Sequence, residues 1–299
     1  MKNLLNRQKK ELGGKFRRYT SVVNPKIYRP SSSPFLSGDS LRKESNFIFD
    51  ETKYFNPLEV KEKNIVFLRT DLREIYFKTI HPQIQNRYVL LSHNSDENIT
   101  PDDKKYVDDK IIHWHAQNLT FLANDKFSPI PIGFENRRYL NHGKLKNLNF
   151  IKEVATTKRN AILCSFNIHT NFAVRSSLME LVTSFENIET ENSSTPLEYL
   201  TSLKKYKFVL CPQGNGIDTH RIWEALLAKV VPVIIENDFS RNLKNLGIPV
   251  LILKNWDELD SFTEDYINKT YMEFEHTEFE KFISLKYWVD LIKASCHTT

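Results

Sequence analysis

Residues 208–226 read Phe208-Val209-Leu210-Cys211-Pro212-Gln213-Gly214-Asn215-Gly216-Ile217-Asp218-Thr219-His220-Arg221-Ile222-Trp223-Glu224-Ala225-Leu226, and a second apolar run, Val230-Val231-Pro232-Val233-Ile234-Ile235, follows. The order is buried strand, glycine loop, helix, buried strand, the βαβ rhythm of a parallel sheet. Gly214 and Gly216 permit positive φ and close backbone approach, so amide N–H groups can face a phosphate. Asp218 is placed as the helix N-cap, where a carboxylate accepts from amides two or three residues on. At 100° per residue His220, Arg221 and Glu224 fall within an arc of about 100°, opposite Ile222, Trp223 and Leu226. This polar face stands at a helix N-terminus that already favours anions. It suits a nucleoside diphosphate, with backbone, His220 and Arg221 on phosphate and Glu224 on ribose hydroxyls. The loop is not the dinucleotide fingerprint, because Thr219 stands where a third Gly is needed, and it lacks the Gly-Lys-[Ser/Thr] of a Walker A loop.

The same rhythm continues outward. Residues 160–166 read as a strand, 171–182 as a helix and 250–253 as a last strand. Upstream, the apolar runs at 64–68, 87–91, 110–114 and 127–133 each end in polar loops, as parallel strands buried on both faces do. Ligands in such sheets bind beyond those C-terminal ends. Residues 141–159 are polar and basic and read as a linker. Residues 19–45, with Pro25, Pro30, Pro34 and three consecutive serines, read as an extended surface segment. From Tyr266 to Ser295 helical spacing dominates, with Phe279, Phe282, Leu285, Trp288 and Leu291 three apart.

The 299 residues suffice for two α/β domains. Hydrophobic residues at 40% and charged residues at 26% fit a globular protein, and no apolar run is long enough to span a membrane. Three scattered cysteines without a CxxC argue against a disulfide scaffold or structural zinc and for a reducing, cytoplasmic setting. Seven of the 42 Lys and Arg but one of the 37 Asp and Glu lie in residues 1–18. That stretch carries +6, and the other 281 residues, with 35 bases and 36 acids, carry −1. A near-neutral body disfavours a nucleic-acid partner. The basic stretch suits peripheral contact with anionic lipid at the inner face of a membrane.

Cys211 to Leu226 with Val230 to Ile234 resembles the donor-binding segment of exostosin-like glycosyltransferases, known for P-x-G-x-x-x-x-x-x-R-x-x-E-A-x-x-x-G-x-x-P-V. Lys229 stands where that pattern carries Gly. Residues 90–96, 114–118, 130–136 and 165–171 with Arg175 are similar to further segments of bacterial and viral members. The resemblance covers roughly residues 85–255. It implies an α/β fold of GT-B type: two Rossmann-like domains facing a central cleft, with a C-terminal helix packing across. On that basis residues 1–45 are the basic extended segment and 46–150 the acceptor-side domain. Residues 151–265 form the nucleotide-sugar-binding domain, and 266–299 a helical segment returning towards the first.

The implied activity is transfer of a sugar from a nucleotide-sugar, UDP-linked, to a hydroxyl of a glycan or lipid-linked glycan in glycan or polysaccharide biosynthesis. Inversion is favoured, and no metal or other cofactor is expected, because enzymes of this architecture stabilise the leaving diphosphate with side chains and helix dipoles. The donor site comprises Asn167, Thr170, Arg175, Gly214, Asn215, Gly216, Asp218, His220, Arg221 and Glu224. No D-x-D motif follows a strand; Glu236-Asn237-Asp238 is the nearest imitation, and His113-Trp114-His115 lacks a third metal ligand nearby. A base is needed to deprotonate the acceptor. His93 and Asp96 are its candidates, ahead of Asp71 and Glu135. A non-catalytic nucleotide- or glycan-binding protein and a nucleotide-sugar epimerase of the same architecture remain as alternatives.

Overall fold

The computed structural model describes residues 28–139 and 142–297; the basic residues 1–18 lie outside the described residues. Two α/β units are present, each around five parallel strands. The first sheet contains β1 (Phe47–Phe49), β2 (Asn64–Arg69), β3 (Tyr88–His93), β4 (Ile111–Ala116) and β5 (Phe127–Pro129), side by side in chain order. The second contains β6 (Arg159–Cys164), β7 (Ile188–Thr190), β8 (Tyr206–Leu210), β9 (Val231–Ile235) and β10 (Leu251–Leu253), in the order β10-β9-β8-β6-β7. Among the described residues no helix is long and apolar enough to cross a membrane.

The strand orders differ in kind. Read from its own first strand, the second sheet runs 2-1-3-4-5, the doubly wound order, with a topological switch point between β6 and β8. The first sheet is sequential and has no such point, so the expectation of two Rossmann-like sheets holds in winding order only for the second. Right-handed crossovers between strands laid down in sequence all pass over one face. That face carries Val66, Leu68, Leu90, Trp114 and Ala116 and is covered by Tyr76 and Phe77.

The opposite face, with Ile65, Phe67, Val89, Leu91 and Ile112, needs cover from elsewhere, and the two ends of the chain supply it. Leu36 and Leu41, the latter on the helix Gly38–Glu44, join Val289 and Ile292 of the helix Leu285–Ser295 over it. The Leu36 amide donates to the Ile283 carbonyl and that of Leu285 to the Pro34 carbonyl, both at 2.9 Å. The reading of 19–45 as an extended surface segment is therefore corrected for its described part. Its prolines and serines mark turns around residues that are fully buried.

Two further corrections concern helices. Leu148 and Ile151 bury one side of a helix, Leu145–Glu153, inside the apparent linker. The C-terminal segment is three helices, Glu264–Met272, Phe279–Phe282 and Leu285–Ser295, because the Trp288 indole donates to the Phe282 carbonyl across a break. Trp288 also meets Trp223 edge-on at 6.4 Å, so the last helix touches both units. Asn242, buried, joins them again: its Oδ1 accepts from the Ala123 amide at 2.9 Å and its Nδ2 donates to the Phe121 carbonyl at 2.8 Å.

Candidate functional site

The switch point separates the loop after β6, residues 165–171, from the loop after β8, residues 211–219. One buried side chain holds both. Arg175, on the helix Phe172–Val182, donates from Nε to the Gln213 carbonyl at 3.0 Å and from Nη2 to the Pro212 carbonyl at 3.0 Å. Its Nη1 donates to the Asn167 carbonyl at 2.8 Å and to the Thr170 hydroxyl. Four of the five guanidinium N–H donors are thereby used, and one on Nη2 is left. Arg175, expected to hold a diphosphate, is spent mainly on the two loops. The sequence could not show this, because the acceptors are carbonyls. Asn167 uses its side-chain oxygen on the His169 amide at 2.9 Å, and Asn171 reaches across to the Gly214 carbonyl at 3.2 Å.

Neither Gly214 nor Gly216 has a left-handed φ, contrary to expectation; both serve close approach. A Cβ on Gly214 would come within 3.1 Å of Arg175 Nη2, and one on Gly216 within 2.7 Å of Asn118 Nδ2. The Gly214 amide donates to the Gly216 carbonyl at 3.1 Å, leaving Asn215 exposed at the tip.

Asp218 is not the N-cap: Thr219 occupies that position, without a side-chain capping bond. The Asp218 carboxylate is buried between the Ile132 amide of the first unit, 2.7 Å away, and the Trp223 indole N–H, 2.9 Å away. Burial outweighs these bonds and raises its pKa to about 7. His220 also reaches the first unit. Its Nδ1–H donates to the Gly133 carbonyl at 2.6 Å, and its Nε2 lies 3.5 Å from Glu135 Oε2. Burial pulls the imidazole pKa down, but Glu135, the Gly133 carbonyl and Glu224 outweigh it and raise it. His220 thereby links the second unit to the first beside Glu135.

Arg221 lies over the Tyr199 ring, 5.2 Å from its centroid. Among the described residues Arg221 Nε, Tyr199 Oη and Thr219 Oγ1 are buried without a well-formed hydrogen bond, although Arg221 and Tyr199 face one another. Burial lowers the Arg221 pKa, but Tyr199, Cys211 and Glu224 outweigh it and raise it. Neither Arg175 nor Arg221 makes an ion pair with a carboxylate among the described residues. Burial, reinforced by Arg221, lowers the Arg175 pKa to about 10. Glu224 is half-buried on the same helix face, its carboxylate without a hydrogen bond among the described residues.

On the facing wall, His93 ends β3 inside the protein. Its Nε2–H donates to the Pro131 carbonyl at 2.9 Å, its Nδ1 accepts from the Asn94 amide at 2.7 Å, and burial lowers its pKa to about 4. With both nitrogens committed it has no lone pair for an acceptor proton, which corrects the reading of His93 as a base. Asp96 is exposed on the next loop. Between Asp96 and the glycine loop stands Asn118, absent from the expected donor site; the polar pair Gln117-Asn118 in the turn that follows the buried strand β4 is the signal in the sequence that marks it.

Among the described residues no group of three or more His, Cys, Asp or Glu is placed to hold a metal. His113 bonds Ser128 at 2.8 Å, and Glu236 and Asp238 are both paired with Arg241.

The family model of the RXYLT1 C-terminal domain matches residues 140–295. No curated protein matches the chain. Similar solved structures include that of the pneumococcal O-GlcNAc transferase GtfA in complex with UDP and GlcNAc, at 11% identity and a TM-score of 0.37. That match covers 81% of this chain and 58% of the other, so this chain spans less than two thirds of that neighbour's length.

Proposed function

The chain belongs to the RXYLT1 C-terminal domain family, an exostosin-like glycosyltransferase family, and from that premise we propose that it transfers a sugar from a UDP-linked donor to a glycan hydroxyl. One observation carries the donor site: two guanidiniums, Arg175 and Arg221, flank the switch point without an ion pair to a carboxylate among the described residues, beside a buried Thr219 Oγ1 that has no hydrogen-bond partner among them. Buried charge without a counter-charge is costly, and a buried polar atom without a partner calls for an explanation. A diphosphate supplies both.

Arg221, His220, the remaining Arg175 N–H and the amides of Asn215 and Gly216 hold it, and Glu224 takes the ribose hydroxyls. As the bond from the anomeric carbon to the diphosphate breaks, the electron pair leaves with phosphate and these groups absorb the charge without a metal. Asp96 takes the acceptor proton as the new C–O bond forms on the opposite face, inverting the centre. The two units then face one another as in a GT-B enzyme, and the acceptor, a glycan or lipid-linked glycan, lies against the first.

The test is UDP titration by calorimetry with Arg221→Ala and Glu224→Ala. Each is expected to raise Kd by about tenfold, roughly 1.4 kcal/mol; unchanged affinity for both would sink the assignment. Asp96→Asn should keep UDP affinity and lose on the order of 100-fold in acceptor-dependent UDP release. Donor binding without release would favour a binding protein, and an isomerised donor without acceptor an epimerase.

A further inference from the structure

We propose that Asn118, a residue of the first unit, is the positioning residue that shapes the glycine loop of the second and sets it against the segment carrying Asp96. The inference rests on the reading of residues 214–218 as the donor loop. Asn118 sits in the left-handed region at φ 55°, where asparagine is one of the few side chains tolerated. Such strain persists where the surroundings over-determine it. Here they do: its carbonyl accepts from the Ile99 amide at 3.0 Å, and its Nδ2 donates to the carbonyls of Ser95 and Glu97 at 3.3 and 3.4 Å. Those carbonyls flank Asp96.

Fully buried and anchored there, Asn118 presents Oδ1 to the other unit, where it accepts from the Asp218 amide at 3.0 Å. Gly216 lies flush against the same side chain, closer than any Cβ would permit. The Asp218 carboxylate is then tied to Ile132 and Trp223. The loop is therefore held at Gly216 by packing and at Asp218 by both amide and carboxylate, and two of these three restraints come from one asparagine. Its Nδ2 and Oδ1 bridge the proposed base segment and the donor loop through a single planar amide, which fixes their separation.

The side-chain effect can be separated from the backbone strain. Asn118→Gly keeps the left-handed φ accessible and removes only the amide. In the full chain without ligand, hydrogen exchange at residues 216–218 should accelerate by at least about tenfold in this variant, while the helix Phe172–Val182 keeps its protection. UDP Kd should rise by about tenfold. Gly216→Ala should weaken UDP similarly in the parent chain, yet add little in the Asn118→Gly background, where the side chain nearest the new Cβ is gone; that non-additivity is the signature of direct contact. Asn118→Asp, which keeps the acceptor and loses the donor, should retain Asp218 amide protection and loosen residues 95–97. Parental exchange at 216–218 in Asn118→Gly, or strictly additive effects with Gly216→Ala, overturns the proposal. If Asn118→Gly fails to fold, loss of Asp218 protection in Asn118→Asp overturns it instead. A parent chain that ignores UDP overturns the donor reading alone, and the exchange measurements still decide the role of Asn118.

Discussion

Several arginines beyond the C-terminal edge of the first sheet are ion-paired with carboxylates, whereas the two that flank the switch point of the second, Arg175 and Arg221, make no ion pair among the described residues. Beyond β1 to β3, Arg29 and Arg42 share Asp50, Arg69 pairs with Asp71 at 2.7 Å and Arg138 with Asp39 at 3.3 Å. Burial would raise the Asp50 pKa, yet Arg42, Thr52 and Arg29 hold it at about 2. Beyond β6 and β8, Arg175 turns to carbonyls and Arg221 to an aromatic face. Strand order explains the difference. A sequential sheet leaves no gap at its C-terminal edge, so its rim can be closed by salt links; an order that reverses opens a crevice. A compensated buried cluster reads as architecture, and an uncompensated one as a place for an anion.

The comparison can be broken in three places. The largest effect belongs to Trp288→Ala, which removes a fully buried indole where the last helix meets Trp223 of the second unit and bonds the Phe282 carbonyl. It should cost about 4 kcal/mol in denaturant unfolding, and a loss below about 1 kcal/mol would mean that the last helix does not tie the two units together. Arg175→Met comes next. It leaves the Pro212, Gln213 and Asn167 carbonyls without their buried donor and should cost about 3 kcal/mol. Exchange protection should be lost in loops 165–171 and 211–219 while β2 and β3 keep theirs; uniform loss across both units would erase the distinction.

The smallest effect is a pH slope. The folded chain holds the Asp218 proton more tightly than the unfolded chain, since its pKa is raised to about 7. Unfolding therefore releases a proton between about pH 4 and pH 7, and this group lowers stability as pH rises through that window. Asp218→Asn should flatten that part of the profile relative to the parent. An identical slope in both would remove Asp218 as a buried carboxylate at the junction.

Much of this was legible beforehand. Apolar runs capped by polar loops located eight of the ten strands, most of them within two residues, since a strand buried on both faces has no other composition available. The run at 127–133 overshot β5, and the three-residue strands β1 and β7 are too short to leave such a run. The polar helix face carrying His220, Arg221 and Glu224 followed from the helical period. The glycine loop was readable as a place of close approach, but not what approaches it: Arg175 and Asn118 lie 39 and 98 residues away from Gly214 and Gly216. Asp218 matched an N-cap by local rules and was claimed instead by Ile132 and Trp223, because a buried carboxylate goes where donors converge. His93 had the composition of a base, and only its burial beside the Pro131 carbonyl removes it.

The sequence by itself determined the local chemistry: which runs are buried strands, where the glycine loop opens onto a helix, and which side chains share that helix face. These depend on periodicity and on residue type within one turn or one strand. Tertiary structure alone decided which charges would be neutralised. Ion pairs, orphaned polar atoms and cross-unit hydrogen bonds join residues distant in sequence, and their positions follow from the order in which parallel strands are laid side by side. That order places a switch point beyond β6 and β8 and none in the first sheet, and the switch point is where the candidate site lies.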